Sequence, residues 1–254
     1  MEIMYLIIFF ILGASMGSFC YVVATRVSKE ESIISPPSHC DSCGHYLKWY
    51  ELIPIVSYII QGGKCKKCHT KLSMGYLLME ICMGVLYMIC YHVFGLSLSL
   101  ISSLIFVTSI ITVIISDIEY MIILDEVLIF TALSIIIVDL FDVGLYETCM
   151  KILAGLGAFI TMLLIKKMGD IIFKQESLGG GDIKLMFIIG LVLGYPMSIC
   201  NIFLATFIAF PIALFLLIFK KDNIIPFGPF LSMSAMILYI WGLTFNEVIQ
   251  FILK

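Results

Sequence analysis

Charge is scarce in this chain. Asp, Glu, Lys and Arg together supply 13% of its 254 residues, about half the share usual in soluble domains, so a single core wrapped in a charged, solvated shell is excluded. The basic residues form no arginine- and aromatic-rich face of the kind that binds nucleic acid, and the net charge of −3 reflects no such partner. There is no glycine-rich loop of the dinucleotide-binding type and no thioredoxin-like βαβ pattern around the cysteines. The start lacks the basic region of a cleavable secretory signal, because Glu2 stands there and Arg26 follows the apolar stretch instead.

What is present is hydrophobic. At 61% apolar residues and a mean hydropathy of +1.12, the chain reads as an all-α polytopic membrane protein with runs near the ~20 residues that cross a bilayer. The runs fall near 3–25, 76–94, 99–116, 127–141, 148–165, 184–200, 201–219 and 230–250, about eight transmembrane helices. The 127–141 run is short for a crossing, and 184–219 also reads as one hairpin turning at Gly194-Tyr195-Pro196. With an uncleaved first helix whose N-terminus is outside, alternating spans put 13 of the 15 Lys and Arg residues on one side, leaving Lys151 and Lys254 on the other. The positive-inside rule makes the richer side cytosolic.

The one long polar stretch holds two tight cysteine pairs, Cys40-Asp-Ser-Cys43 and Cys65-Lys-Lys-Cys68, with 21 residues between them. In a reducing cytosol this spacing favours a four-cysteine zinc site over disulfides or a redox pair. A segment this short with few large apolar side chains needs a structural metal to fold, and Gly44 and Gly62-Gly63 supply permissive backbone. His39, His45 and His69 flank the thiols and read as ordinary exposed histidines. Cys20, Cys82, Cys90, Cys149 and Cys200 lie in spans, as small apolar filler.

Carboxylates near the bilayer are the second signal. Asp117 closes one apolar run and Asp182 opens another behind Gly179-Gly180-Gly181, and ionisable groups at membrane depth are expensive. Each has a bland reading: an interfacial acid at a helix end, and an acid stabilised by a helix N-terminus. Together they fit a pair of carboxylates that share a proton and activate water. The glycines leave room for an extended substrate backbone. The macrodipoles favour the proton on Asp117, at a helix C-terminal end, and the charge on Asp182, at an N-terminal end. Asp125 and Glu126 read as first-turn acids of the next helix, or as residues that bind substrate or support catalysis. Glu80 lies deeper than a capping acid should, to meet a headgroup, the polar segment or substrate. Lys184 is an anchor at the lipid surface or a partner of the pair. Gly13/Gly17 and Gly190/Gly194 have the spacing of close helix packing.

Read together, these residues resemble the bacterial type IV prepilin peptidases, membrane aspartyl enzymes with a G-x-G-D motif. The likeness runs from Gly17-Ser18-Phe19, Val22-Val23 and Arg26 through the cysteine pairs with Trp49, Pro54, Ser57 and Gly63-Lys64 between them. It continues through Ser73, Tyr76, Glu80, Asp117–Asp125, Gly179–Lys184 and Pro226-Phe227-Gly228-Pro229. Tyr21, Leu77 and Leu124 depart from the family pattern, Tyr21 in the region the family links to methylation. The resemblance implies cleavage of a short basic leader from type IV prepilins or pseudopilins at the cytosolic face of the bacterial inner membrane. Asp117 and Asp182 are then catalytic, and Gly179, Gly180, Gly181, Lys184, Glu80 and Asp125 lie near substrate. It also implies a second, S-adenosylmethionine-dependent methylation of the new N-terminus. The expected layout is a first helix over 1–25, a zinc-binding segment over 26–75 and a peptidase core over 76–254. A thiol redox protein and a transporter with acids along a polar path are the competing classes. The second needs carboxylates spread through the bilayer depth.

Overall fold

The computed structural model describes residues 2–40, 42–219, 225–242, 245 and 247; Lys220, Lys221, Lys254 and most of 243–250 lie outside them. The described residues form helices α1 (Glu2–Val27), α2 (Val56–Ile60), α3 (Met74–Phe94), α4 (Leu98–Tyr120), α5 (Asp125–Asp142), α6 (Gly144–Phe173), α7 (Gly180–Leu193), α8 (Tyr195–Phe219) and α9 (Gly228–Trp241), with a single 3-10 turn at Trp49–Glu51. No strand occurs among the described residues beyond two isolated bridges.

Among the described residues, five helices are long and apolar enough to span a membrane: α1, α3, α4, α6 and α8. The expectation of about eight exceeds this for identifiable reasons. Asp125, Glu126, Asp139 and Asp142 all fall within the 18 residues of α5. Helix α7 has 14 residues, about 21 Å of rise against a hydrocarbon core of roughly 30 Å, and the 230–250 run lies partly outside the described residues, which carry α9 over Gly228–Trp241. The break between 200 and 201 is also misplaced. The chain turns at Gly194 (φ 80°) instead, which caps α7 while Pro196 sits in the first turn of α8.

The chain divides into two compact units, Met1–Leu96 and Ser97–Lys254. In the first, α1 lies against α3 through small residues. A Cβ on Gly17 would stand 2.7 Å from the Met79 carbonyl, and one on Gly84 would meet the Phe10 ring at 2.7 Å. Between these helices the polar segment is pinned to α3 by Glu80. Its Oε2 accepts the Ile55 N–H at 2.6 Å, a contact with the polar segment that is one of the roles left open for that acid. Ile55 has φ 63° and ψ −53° with a Val56 N–H to Pro54 C=O bond of 2.6 Å, a γ-turn of the strained positive-φ form.

In the second unit α4 is the most buried helix, with Phe106, Val107, Ile110 and Val113 fully enclosed, and it packs on α5 and α9. Helices α6 and α7 cross closely where Gly190 would press a Cβ to 2.6 Å from that of Ala158. Gly194 takes no part in that crossing, being the cap. A part-buried ion pair joins α5 to α6: Lys151 Nζ, about a third exposed, donates to the buried Asp139 Oδ2 at 2.9 Å, and Ser102 of α4 reaches Oδ1 at 3.4 Å. Asp139 was hidden inside an apolar run of the sequence. It carries a carboxylate about 21 Å along α5 from Asp125, so the acids do not all gather at one helix end, and Lys151 marks this pair as well as a topology.

Candidate functional site

Asp117 lies one turn before the end of α4, where Met121 in the left-handed conformation returns its N–H to the Asp117 carbonyl. Asp182 is the third residue of α7, whose N-cap is Gly179. The loop feeding α7 is strapped to α6: the Ser177 N–H and hydroxyl both donate to Asp170 Oδ1, at 2.7 and 2.9 Å, and the hydroxyl reaches the Lys166 carbonyl. Both aspartates are buried, 5% and 7% exposed, and the charge of Asp117 acts on Asp182 through space. The Gly179 backbone N–H faces the Asp182 carboxylate. Its Oδ1 is buried with no hydrogen-bond partner among the described residues.

The sequence reading missed the donor opposite. Asp117 accepts the N–H of Gly228, at the start of α9, and a Cβ on Gly228 would fall onto Asp117 Oδ2. Helix α9 is held in place by Asn201 of α8, whose amide donates to the Leu231 carbonyl while Ser234 donates to its Oδ1. Each aspartate therefore faces the positive end of a helix, and the dipole argument that separated their protonation states loses its premise. The signal was present in Pro226-Phe227-Gly228-Pro229: a proline just inside a helix start announces orphan N–H groups that need an acceptor.

Ile123 is the second residue the sequence reading passed over. It fills the space between two glycines: a Cβ on Gly181 would stand 2.7 Å from Ile123 Cβ, and one on Gly228 3.0 Å from its Cδ1. Of the three consecutive glycines expected to admit substrate, Gly181 thus accommodates the protein's own side chain. Gly180 alone looks onto open space, and Gly179 lies 3.3 Å from Asp182 Oδ2 by the same measure. Lys184 and Asp125 are brought together as an ion pair of 2.6 Å, each about half exposed. Glu119 and Glu126 are exposed. Glu80 belongs to the first unit, where it holds Ile55.

The four cysteines converge in that first unit, all sulfurs within 4.8 Å of one another. Cys40–Cys68 and Cys43–Cys65 are 3.7 and 3.9 Å apart. A tetrahedron with zinc–sulfur bonds of ~2.3 Å has edges of about 3.8 Å, so the thiols fit that metal. The two knuckles are copies offset by 25 residues. Cys40 and Cys65 accept from positions 44 and 69 and donate to the carbonyls of 45 and 70, Leu47 and Leu72 donate to the carbonyls of 38 and 63, and the bridges 39–46 and 64–71 coincide. His69 (φ 58°) takes the left-handed place that Gly44 (φ 65°) holds in the first copy, and Gly62 (φ 61°) and Gly63 (φ 66°) before the second pair are themselves at positive φ, as expected. The Thr70 hydroxyl lies 3.2 Å from Cys68 Sγ. His45 meets Glu51 Oε2 at 3.4 Å. The Lys48 N–H, followed by that histidine, holds the buried Glu51 carboxyl below its ordinary range.

Comparison with known proteins follows these two features. The family pattern described as "Bacterial Peptidase A24 N-terminal domain" matches residues 11–94, and "Type IV leader peptidase family" matches residues 104–214. A relative from Bacillus subtilis (strain 168), named prepilin leader peptidase/N-methyltransferase, is 32% identical with 97% of each chain covered. Relatives of the same name from Myxococcus xanthus (strain DK1622) and Vibrio cholerae serotype O1 are 29% and 26% identical; the match spans 74% of this chain and 56% of the first, and 94% of this chain and 98% of the second. No solved structure matches the chain. The chain belongs to the type IV prepilin leader peptidase family.

Proposed function

We propose that this protein is a membrane aspartyl endopeptidase that removes the short basic leader from type IV prepilins or pseudopilins at the cytosolic face of the inner membrane, with its N-terminus outside. The observation that carries the reading is the meeting of two buried aspartates from α4 and α7 in a chain of this family. Two close carboxylates cannot both ionise easily and act as a unit. The shared proton resides on Asp182 Oδ1, the oxygen with no other partner among the described residues, where it donates to the scissile carbonyl. Asp117, its charge met by the Gly228 N–H, takes the proton from the attacking water. Co-expression with candidate prepilins, reading the mature N-terminus by mass spectrometry, tests the activity directly. Uncut prepilin across all candidates counts against it.

Zinc, held by Cys40, Cys43, Cys65 and Cys68, is structural in this reading and takes no part in bond cleavage. S-adenosylmethionine has a weaker case. The buried acids of the first unit, Glu51 and Glu80, are already committed to the backbone amides of Lys48 and Ile55, and no glycine-rich nucleotide loop lies among its described residues. A second, S-adenosylmethionine-dependent methylation of the new N-terminus stays part of the proposal, carried by the relatives' name and not by these residues. The same mass spectra report any methyl group on the new N-terminus.

Two outcomes test the site's construction. Gly181→Ala and Gly228→Ala each overpack Ile123 or Asp117 and should cost about 1–3 kcal/mol of local fit, reducing cleavage at unchanged protein level, whereas Gly180→Ala should retain it. Equal activity in all three variants contradicts the packing described. For the leader, Glu119 and Glu126 are exposed, and Asp125 is about half exposed beside Lys184. Reversing the leader's charges should raise KM strongly, and added salt should weaken binding of the natural leader. A KM indifferent to both removes these acids from recognition.

A further inference from the structure

The polar segment between α1 and α3 wears its apolar side chains on the outside. Trp49 is 78% exposed, Ile59 66% and Ile60 79%. Val56, Ile59 and Ile60 stand at i, i+3 and i+4 of α2 and so share a face. The 3-10 turn that carries Trp49 packs on this helix, with exposed Leu52 on the link between them. From Lys48 to Ser73, the stretch that carries this face, the exposed charge has one sign. Lys48, Lys64, Lys66, Lys67 and Lys71 are all exposed, and the single acid from Lys48 to Ser73 is Glu51, which is buried and bound to His45 and the Lys48 N–H. Both ends of the segment run straight into helices that can span a membrane, α1 at Val27 and α3 at Met74.

We infer that the face formed by Trp49, Leu52, Val56, Ile59 and Ile60 rests in the headgroup layer of an anionic bilayer. Its apolar bodies enter the boundary between headgroups and acyl chains while the lysines meet lipid phosphates. An indole is well suited to that depth, with an apolar ring and a polar N–H. Charge complementarity and the membrane helices at both ends select lipid over an acidic protein partner. The four-cysteine cluster supplies the cohesion that frees these side chains from a core. The inference stands apart from the catalytic proposal and survives its failure.

Trp49 and Trp241 are the chain's two tryptophans, so Trp241→Phe leaves a single reporter in the full-length protein. It is reconstituted into phosphatidylglycerol-containing vesicles whose lipids carry bromine at shallow or deep acyl positions. Trp49 emission should be strongly quenched by shallow bromines and much less by deep ones. Ile59→Glu/Ile60→Glu, and separately Lys66→Gln/Lys67→Gln/Lys71→Gln, should relieve most of that quenching while bound metal stays unchanged. Emission insensitive to bromine at either depth overturns the inference, whether the indole proves to be in water or covered by protein. Shallow quenching that neither variant relieves overturns it equally.

Discussion

Asp117→Asn and Asp182→Asn are each expected to lower prepilin cleavage by at least about 10²–10⁴-fold, with protein level and bound metal unchanged. Asparagine keeps the shape and the carbonyl that faces the Gly228 or Gly179 N–H, so packing survives and only the transferable proton is lost. Because the two carboxylates act as one unit, the double variant should be no worse than either single one. Cleavage by the intact protein should follow a bell-shaped pH profile whose two limbs belong to the pair. Retained turnover in either variant, measured by mass spectrometry of the prepilin, would falsify the dyad. An additive double variant would instead separate the two roles into independent steps.

Removal of zinc should have the second largest effect, on structure. Structural zinc in small cysteine domains is worth on the order of 10–16 kcal/mol at neutral pH, and the segment's large apolar side chains are mostly exposed, so they form no core to replace it. Chelation, or Cys→Ser at any of Cys40, Cys43, Cys65 and Cys68, should expose residues 28–73 to protease while α1 and α3 remain protected by their glycine-mediated contact. Any loss of cleavage should track that exposure. The purified protein should contain one zinc per chain; less than half an equivalent, or a protease-resistant segment after chelation, overturns the assignment.

Much of this architecture was legible in the sequence, for physical reasons. The apolar runs of α1, α3, α4, α6 and α8 exceed bilayer thickness, and no soluble fold competes for such segments. The cysteine spacing led to the cluster because two C-x-x-C turns present four thiols to one point. The likeness to prepilin peptidases was legible across the chain, and family membership bears it out. Three things were not legible. Gly228 lies 111 positions after Asp117, so a hydrogen bond between them is a tertiary fact, and its absence misdirected the dipole argument. Ile123 resembles every other apolar residue until the Cβ-free faces of Gly181 and Gly228 appear on either side of it. Asp139 sits in an apolar run, where its partner Lys151 was taken for a marker of orientation. The 25-residue repeat could have been read: S-H-C-D-S-C-G-H-Y-L and G-K-C-K-K-C-H-T-K-L align without a gap.

The duplicated knuckle is tethered at both ends, and that sets the kinetics of metal exchange. An isolated zinc finger that loses its metal becomes a free coil. Here the freed segment begins at α1 and ends at α3, whose mutual packing does not involve the cysteines. Its conformational search is that of a closed loop of some forty-odd residues, and lengthening such a loop adds cost only logarithmically. Each half can hold the ion through its own two thiolates while the other half is away, so the local concentration of the missing pair stays high throughout. Metal stripped by a chelator should therefore be restorable with the protein still embedded in its bilayer, the segment refolding without any re-insertion of helices.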